Sequence, residues 1–235
     1  MFMDIEYGSW LKVAQDAGLL SLAAISLNCA LKGAGLWQLA FAILALATLV
    51  ASFSSIFHGV KWLKALSVLL QCFATCLVPL LFLFATLGTI PGIHVSQRKE
   101  KSFLFNLCMS LPVYAFLRHA QPVRKLCIIE TLLMAAVALC ALAAHFVPAA
   151  GLTAAEAGNR LDDANRLLLG ALLWLSRLLP QLVILRWVRA SAHTQFMVIL
   201  VDYFSKACTC VVFVTPHLHP DVDVIGQLTG RVSWQ

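Results

Sequence analysis

The chain has 235 residues, of which 61% are hydrophobic and 12% carry a charge. Soluble domains are about 45–50% apolar and about 25% charged, so this chain has too little polar surface for a soluble globular enzyme. The same composition excludes a disordered chain, a coiled coil and a disulfide scaffold. The sequence therefore predicts an all-α, multi-pass transmembrane helical bundle. The net charge of +6 does not indicate nucleic acid, because the basic residues flank apolar segments, where they meet lipid headgroups.

The N-terminal segment, residues 9–32, is ambiguous. Only residues 17–31 are free of charge, which is short for a span, because the hydrocarbon core needs about 20 apolar residues. A helix lying in the membrane surface is favoured over a spanning helix. We assign residues 1–34 to this interfacial helix.

Six further apolar stretches predict six spans. They lie at about 35–58, 65–88, 102–117, 126–148, 166–187 and 195–214. The third is short, and the fourth carries Glu130 near its start. The basic turns on one side are opposed only by Glu130, so that side is expected to face the cytoplasm, matrix or stroma, with both termini opposite.

Eight cysteines lie in or beside these apolar stretches. Such positions favour free thiols that pack as small hydrophobic groups. The six tryptophans are mostly expected at the membrane interface.

Two stretches share one pattern at an offset of 128 residues, 52–67 and 180–195. In each copy an apolar span runs into a basic turn, with Lys61 in the first and Arg189 in the second, and another apolar span follows. Two similar helical hairpins predict a duplicated membrane fold of the transporter type.

The second copy resembles a PQ-loop motif. The stretch 173–181, Leu-Trp-Leu-Ser-Arg-Leu-Leu-Pro-Gln, ends a span with Pro180 and Gln181. The basic, serine-containing turn that follows such motifs matches Arg186, Arg189, Ser191 and Gln195. The resemblance covers about 29–214 and implies a SWEET-like fold of two three-helix bundles joined by a linker helix, seven spans in all. PQ-loop relatives include carriers of sugars, amino acids and pyruvate.

This resemblance sets the expected domain boundaries. Residues 35–117 form the first three-helix bundle, 118–165 the linker span and loop, 166–214 an incomplete second bundle with the PQ motif, and 215–235 a polar tail. The chain departs from the family pattern, because Ser52-Phe53 replaces the first Pro-Gln and no seventh span follows Thr215. Ala65 and His193 stand where the turn glycines are expected.

Arg177, Asp202 and Lys206 are the charges well inside the predicted spans, and such residues are functional candidates by default. Asp202 and Lys206 are four residues apart, so they share a helix face and can pair. Counted from the turn near residue 191, all three come to similar depths. One acid would then serve two bases and leave an excess positive charge. The group is either a site for an anionic headgroup or substrate, or a structural ion-pair cluster.

Other polar residues carry weaker signals. Pro180 is expected to kink its helix, as a transport hinge or an inherited feature, and Gln181 to satisfy a freed backbone group. His217 and His219 fit a polar tail better than a metal site, which needs three or four convergent ligands. No nucleophile–base pair or phosphate-binding glycine loop is present, so we expect no enzyme, no cofactor and no metal, only bound lipids.

The favoured function is a non-catalytic, PQ-loop-like accessory or structural subunit of a larger organellar membrane complex, such as a respiratory one. Its partners would be membrane lipids and other membrane-protein subunits, without nucleic acid. The alternative is an active PQ-loop protein that transports a small metabolite or assists the use of lipid-linked sugars. The mitochondrial inner membrane is the favoured location, because sequons and an N-terminal signal are lacking, and the endoplasmic reticulum is the alternative. A carrier predicts a polar cavity lined by the charged residues, whereas a scaffold predicts a packed interior.

Overall fold

A computed structural model describes residues 9–33, 35–57, 59–89, 98–120, 122–146, 153–187 and 192–214. The regular elements in these ranges are all helices: α1 (Ser9–Lys32), α2 (Gly35–Ile56), α3 (Lys61–Thr89), α4 (Arg98–Arg118), α5 (Pro122–Ala143), α6 (Ala154–Trp187) and α7 (Ala192–Phe213). The predicted polar tail, with its two histidines, lies outside the described residues.

Five of the described helices are long and apolar enough to cross a membrane. Their spanning parts are Lys12–Lys32, Gly35–Ile56, Lys61–Gly88, Lys125–Ala143 and Phe196–Phe213. The apolar part of α4, Phe103–Arg118, is shorter, as the sequence predicts for the third span. Side chains of α6 are described only as far as Arg177. The all-helical class is therefore confirmed for the described residues, and their five long apolar helices are consistent with a multi-pass membrane protein.

Helix α1 differs from the amphipathic interfacial helix favoured by the sequence. Leu19 and Leu22 on its inner face are buried against the bundle, whereas Leu27 and Leu31 point outward and are exposed. An interfacial helix needs a polar outer face, and α1 is apolar on both. By length and composition α1 could also span a membrane, and the interfacial position of residues 9–32 stays a prediction. The charges of Lys12 and Asp16, which shortened the predicted span, lie in the first two turns of α1.

The described helices form a ring, which α4 joins only from the outside. Each helix packs against the next one along the chain, and α1 packs against α7. Helices α3 and α5 also contact each other, which leaves α4 on the outside of the ring. Sequential antiparallel packing follows from short connections between long apolar helices. These contacts do not by themselves separate two three-helix bundles, so that finer architecture stays a prediction.

The centre of the ring is filled by five aromatic side chains, which we call the aromatic cluster: Trp37, Phe41, Phe82, Trp174 and Phe213. The Phe82 ring centroid lies 5.5 Å from that of Trp37, 5.8 Å from that of Trp174 and 4.9 Å from that of Phe213. These are favourable separations for edge-on and tilted ring pairs. The cluster joins α2, α3, α6 and α7. Trp37 and Trp174, two of the six tryptophans expected mostly at the interface, have side chains buried inside the bundle.

All eight cysteines are free thiols, and six of them are buried. The prediction that they pack as small hydrophobic residues is confirmed. Cys72, Cys76 and Cys108 belong to one apolar cluster between α3, α4 and α5.

Candidate functional site

Four charged side chains meet between α5, α6 and α7, and we call them the charge network: Glu130, Arg177, Asp202 and Lys206. The guanidinium of Arg177 donates from Nη1 to Oδ1 of Asp202 and from Nη2 to Oε1 of Glu130. The ammonium of Lys206 donates to Oδ2 of Asp202 over 2.9 Å. Arg177 is 2% exposed, Glu130 4% and Asp202 6%, so the pairs are almost completely removed from solvent.

Trp174 connects the charge network to the aromatic cluster. Its indole Nε1 donates to Oε1 of Glu130 over 2.9 Å. The Cζ atom of Arg177 lies 4.6 Å from the Trp174 ring centroid, which is a cation–π distance. Trp174 also makes an apolar contact, because its ring packs against that of Phe82. Trp174 therefore contacts both the charge network and the aromatic cluster.

Close packing of α6 on α7 brings the charges to the same depth. Ser205 on α7 donates its hydroxyl to the carbonyl of Leu173 on α6. One turn further on, Thr209 donates to the carbonyl of Gly170 over 3.1 Å. A Cβ atom at Gly170 would overlap the ring of Phe213, so the approach of the two helices depends on glycine. Small residues and hydroxyl groups commonly mediate such approaches in membranes.

The network brings together Arg177, Asp202 and Lys206, the three residues singled out from the sequence. The predicted excess of positive charge is wrong, because Glu130 is a fourth member and balances two cations with two carboxylates. Sequence reasoning placed Glu130 near the start of a span that begins at about residue 126. Helix α5 begins four residues earlier, at Pro122, a residue that often starts helices. The apolar part of α5 begins only at Lys125, so Glu130 lies near the start of that part although it is more than two turns from the start of the helix.

Two features of the charge network are unusual for a structural ion pair. The Nε atom of Arg177 is buried and has no hydrogen-bond partner among the described residues. Lys206 is also unusual among the eight lysines, because each of the others lies within the first or last turn of its helix. Lysines at helix ends reach the interface, whereas Lys206 is seven residues from the end of α7.

The other predicted site residues lie on α6. The backbone of α6 continues as helix through Pro180 and Gln181 to Trp187, and the side chains of these two residues lie outside the described part of the chain. Among the described residues, no group of three or more His, Cys, Asp or Glu side chains is arranged to hold a metal ion.

Comparisons with known proteins add no family. No family model, no curated protein and no solved structure matches this chain. The described residues define the class of the protein as an all-helical protein whose long apolar helices are consistent with a membrane location.

Proposed function

We propose that this protein is a membrane-embedded binding protein that holds an apolar aldehyde covalently on Lys206. The observation that carries the proposal is a lysine in the interior of a helix ring, with its Nζ 2.9 Å from a buried carboxylate oxygen of Asp202. The Lys206 side chain is one-fifth exposed, so its amine is within reach of a small reactive group. Intramembrane charges commonly serve as counter-ions to a bound ligand, and lysine is the side chain that condenses with carbonyl groups.

The condensation fits the charge balance of the network. The lysine nitrogen adds to the aldehyde carbon, the carbonyl oxygen leaves as water, and a C=N bond forms. Starting from the ammonium, two nitrogen-bound hydrogens leave with the oxygen and one proton stays, so the protonated imine carries the same single positive charge. Asp202 remains its counter-ion, and the two carboxylates still balance two cations. No other group has to change its charge.

The surroundings of Lys206 favour an apolar ligand. The hydroxyls of Ser205 and Thr209 next to it are occupied by backbone carbonyls of α6. Because both hydroxyls already donate to backbone carbonyls, an apolar aldehyde suits this position better than a sugar or an amino acid. This proposal departs from the sequence-based expectation of no cofactor.

Retinal, a conjugated apolar aldehyde, is a suitable probe. Purified protein incubated with retinal should show the long-wavelength absorption of a protonated imine, and borohydride reduction should fix the adduct on the peptide that contains Lys206. Lys206→Arg keeps the positive charge beside Asp202 and should give no adduct there. The matched control is Lys64→Arg, which replaces an exposed lysine at a helix end. This variant should form the adduct on Lys206 as the wild type does. Absence of an adduct on Lys206 in folded protein would overturn the proposal.

Asp202→Asn tests the counter-ion separately. The adduct should still form on Lys206, because the amine remains, but the absorption should move toward that of a neutral imine. An unchanged spectrum would assign the counter-ion to another group. The measurement is a visible absorption spectrum of the unreduced variant and wild type, with the adduct on Lys206 verified by borohydride reduction of a separate sample.

A second candidate is the non-catalytic accessory or structural subunit of a larger organellar membrane complex. The filled centre of the ring supports it over the PQ-loop carrier, which needs a polar path between its bundles, because the aromatic cluster occupies that place. Purification in gentle detergent, with native-gel sizing and mass spectrometry, tests this candidate. Stoichiometric recovery in a defined large complex would support it, and recovery alone would count against it. Uptake into proteoliposomes that is lost in Arg177→Ala would instead support a carrier.

A further inference from the structure

A cavity of about 340 Å³ opens on the basic side of the bundle, between the first residues of α3 and α5 and the end of α4. We call it the basic pocket. Its lining consists of Lys61, Lys64, Ala65, Val68, Phe116, His119, Ala120 and Pro122. The charged and titratable groups come from two segments distant in sequence, and the remaining lining is apolar. It is separate from the charge network, which lies inside the ring.

The electrostatics of the basic pocket favour an anion. Both lysines are exposed, and no acidic side chain is among the described residues of the lining. Helices α3 and α5 begin at the pocket, and the positive ends of their dipoles add to the lysine charges. The opposing C-terminal end of α4 is offset by Arg118, which also packs over the ring of Tyr114 with its Cζ 5.8 Å from the ring centroid.

The surface beside the pocket favours an anion that is attached to a hydrocarbon. Trp62 is 69% exposed and Leu117 is 75% exposed, and Leu66, also exposed, lies two residues from Val68 of the lining. Exposed tryptophan is typical of the membrane interface, at the level of the headgroups. A ligand with its phosphate at the lysines can therefore keep its acyl chains against the apolar surface of the bundle.

We infer that the basic pocket binds the phosphate headgroup of an anionic phospholipid. Basic pockets between the ends of membrane helices suit such headgroups, because each nearby lysine adds Coulomb attraction in a poorly screened interface. The attached acyl chains distinguish this ligand from a free phosphate ion, which shares the charge but lacks the apolar anchor.

Native mass spectrometry of the full chain in detergent, titrated with phosphatidylglycerol or phosphatidylcholine of identical acyl chains, tests the inference. Phosphatidylglycerol should bind more tightly. Lys61→Gln and Lys64→Gln should each weaken its binding about fivefold, and the double variant about 25-fold, at the usual gain per lysine near an anionic surface. Lys32→Gln removes an exposed lysine at the other end of the bundle and should leave binding unchanged.

Two outcomes would overturn the inference. The first is a sign of nonspecific surface charge: either the two lipids bind equally, or Lys32→Gln weakens the binding of phosphatidylglycerol as much as Lys61→Gln does. The second is displacement of phosphatidylglycerol by millimolar inorganic phosphate, which would assign the pocket to a free anion. Retention of phosphatidylglycerol under inorganic phosphate supports the lipid. Substitutions of exposed lysines rarely affect folding, and gel filtration of each variant checks this directly.

Discussion

The charge network and the aromatic cluster are neighbours on α6 and α7 but hold the helices in different ways. Lys206 and Phe213 are seven residues apart on α7, or about 10 Å along its axis. The charge network joins α5, α6 and α7 through directed bonds between named atoms. The aromatic cluster joins α2, α3, α6 and α7 through ring contacts that involve no formal charge. Trp174 is the one side chain that takes part in both.

Because one region is held by charges and the other by ring packing, the two should respond differently to substitution. In lipid, apolar side chains gain little from association itself, and packing contacts and hydrogen bonds hold helices together. Loss of one member of a buried charge network leaves an uncompensated charge, and a second substitution that removes the partner charge relieves it. Loss of an aromatic ring leaves a void, which no change of charge can relieve. The two regions are thus distinguishable by rescue experiments.

Arg177→Met should have the largest effect. It removes the donor shared by Glu130 and Asp202 and leaves one carboxylate in the ring without a cation. Breaking a buried network in this way costs about 3–5 kcal/mol, and we expect a loss of this size in the free energy of unfolding in mixed micelles. Adding Glu130→Gln restores neutrality and should recover most of it.

A surface pair provides the control for this result. Arg166 contacts Asp162 over 2.9 Å, and their side chains are 47% and 50% exposed. Arg166→Met should cost less than about 1 kcal/mol, because water screens the pair. If the Arg177 variant lost no more stability than this control, the charge network would not hold α5, α6 and α7 together.

Phe82→Ala should come next. The Phe82 side chain is fully buried and touches four other rings of the aromatic cluster. We expect the free energy of unfolding to fall by about 2–3 kcal/mol, less than the ~3–5 kcal/mol typical of soluble cores. In a membrane the ring gains little by leaving lipid, so the cost comes mainly from the void that it leaves. Unfolding in mixed micelles measures it. Addition of Glu130→Gln should not rescue this variant, and such a rescue would merge the two regions into one.

The sequence predicted the helices and three of the four charges for a simple reason. Charge-free stretches of sufficient length locate apolar helices, and helical rise converts sequence distance into depth, which placed Arg177 level with Asp202. Both arguments need only position along a helix. Glu130 was missed because it lies near the start of the apolar part of α5, Lys125–Ala143, and its contact with Arg177 depends on how α5 packs against α6.

The features that the sequence did not predict depend on which side of a helix faces its neighbours. Trp37 lies near the start of α2, as an interfacial tryptophan would, yet it is buried because its side of the helix faces α3 and α7. Helix α1 was assigned to the membrane surface from the charges of its first turns, whereas its packing against α2 and α7 depends on residues elsewhere in the chain. Facing and partner choice arise from the whole ring, so a pattern within one segment does not determine them.

Gly170→Ala should have a moderate effect on the boundary between the two regions. The added methyl group would overlap the buried ring of Phe213, and such overpacking typically costs about 1–3 kcal/mol. Phe213→Leu in the same chain makes room for the methyl group and should reduce the additional cost. The double-mutant cycle of unfolding free energies measures this coupling. Simple additivity of the two substitutions would mean that α6 and α7 do not depend on this contact.

The smallest effect should come from the start of α6, which lies outside both regions. Thr153 donates its backbone N–H and its hydroxyl to Oε2 of Glu156, over 2.8 and 2.7 Å, and accepts from the backbone N–H of Glu156. This is a capping box, which satisfies the free N–H groups of a helix start. These bonds hold the pKa of Glu156 below its ordinary value of 4.5.

A carboxylate with a lowered pKa in the folded chain stabilises it above the ordinary pKa, and the contribution is lost as the pH falls through the lowered value. Amide hydrogen exchange at residues 154–157, measured at several pH values and corrected for the intrinsic rate, should therefore show protection that declines below pH 4.5. Glu156→Gln keeps an acceptor for Thr153 but has no charge to titrate, so its protection should not vary with pH. Because the charge network lies more than five turns further along α6, protection around Arg177 should stay constant over the same range. A parallel decline there would mean that the start of α6 and the buried network respond as one unit.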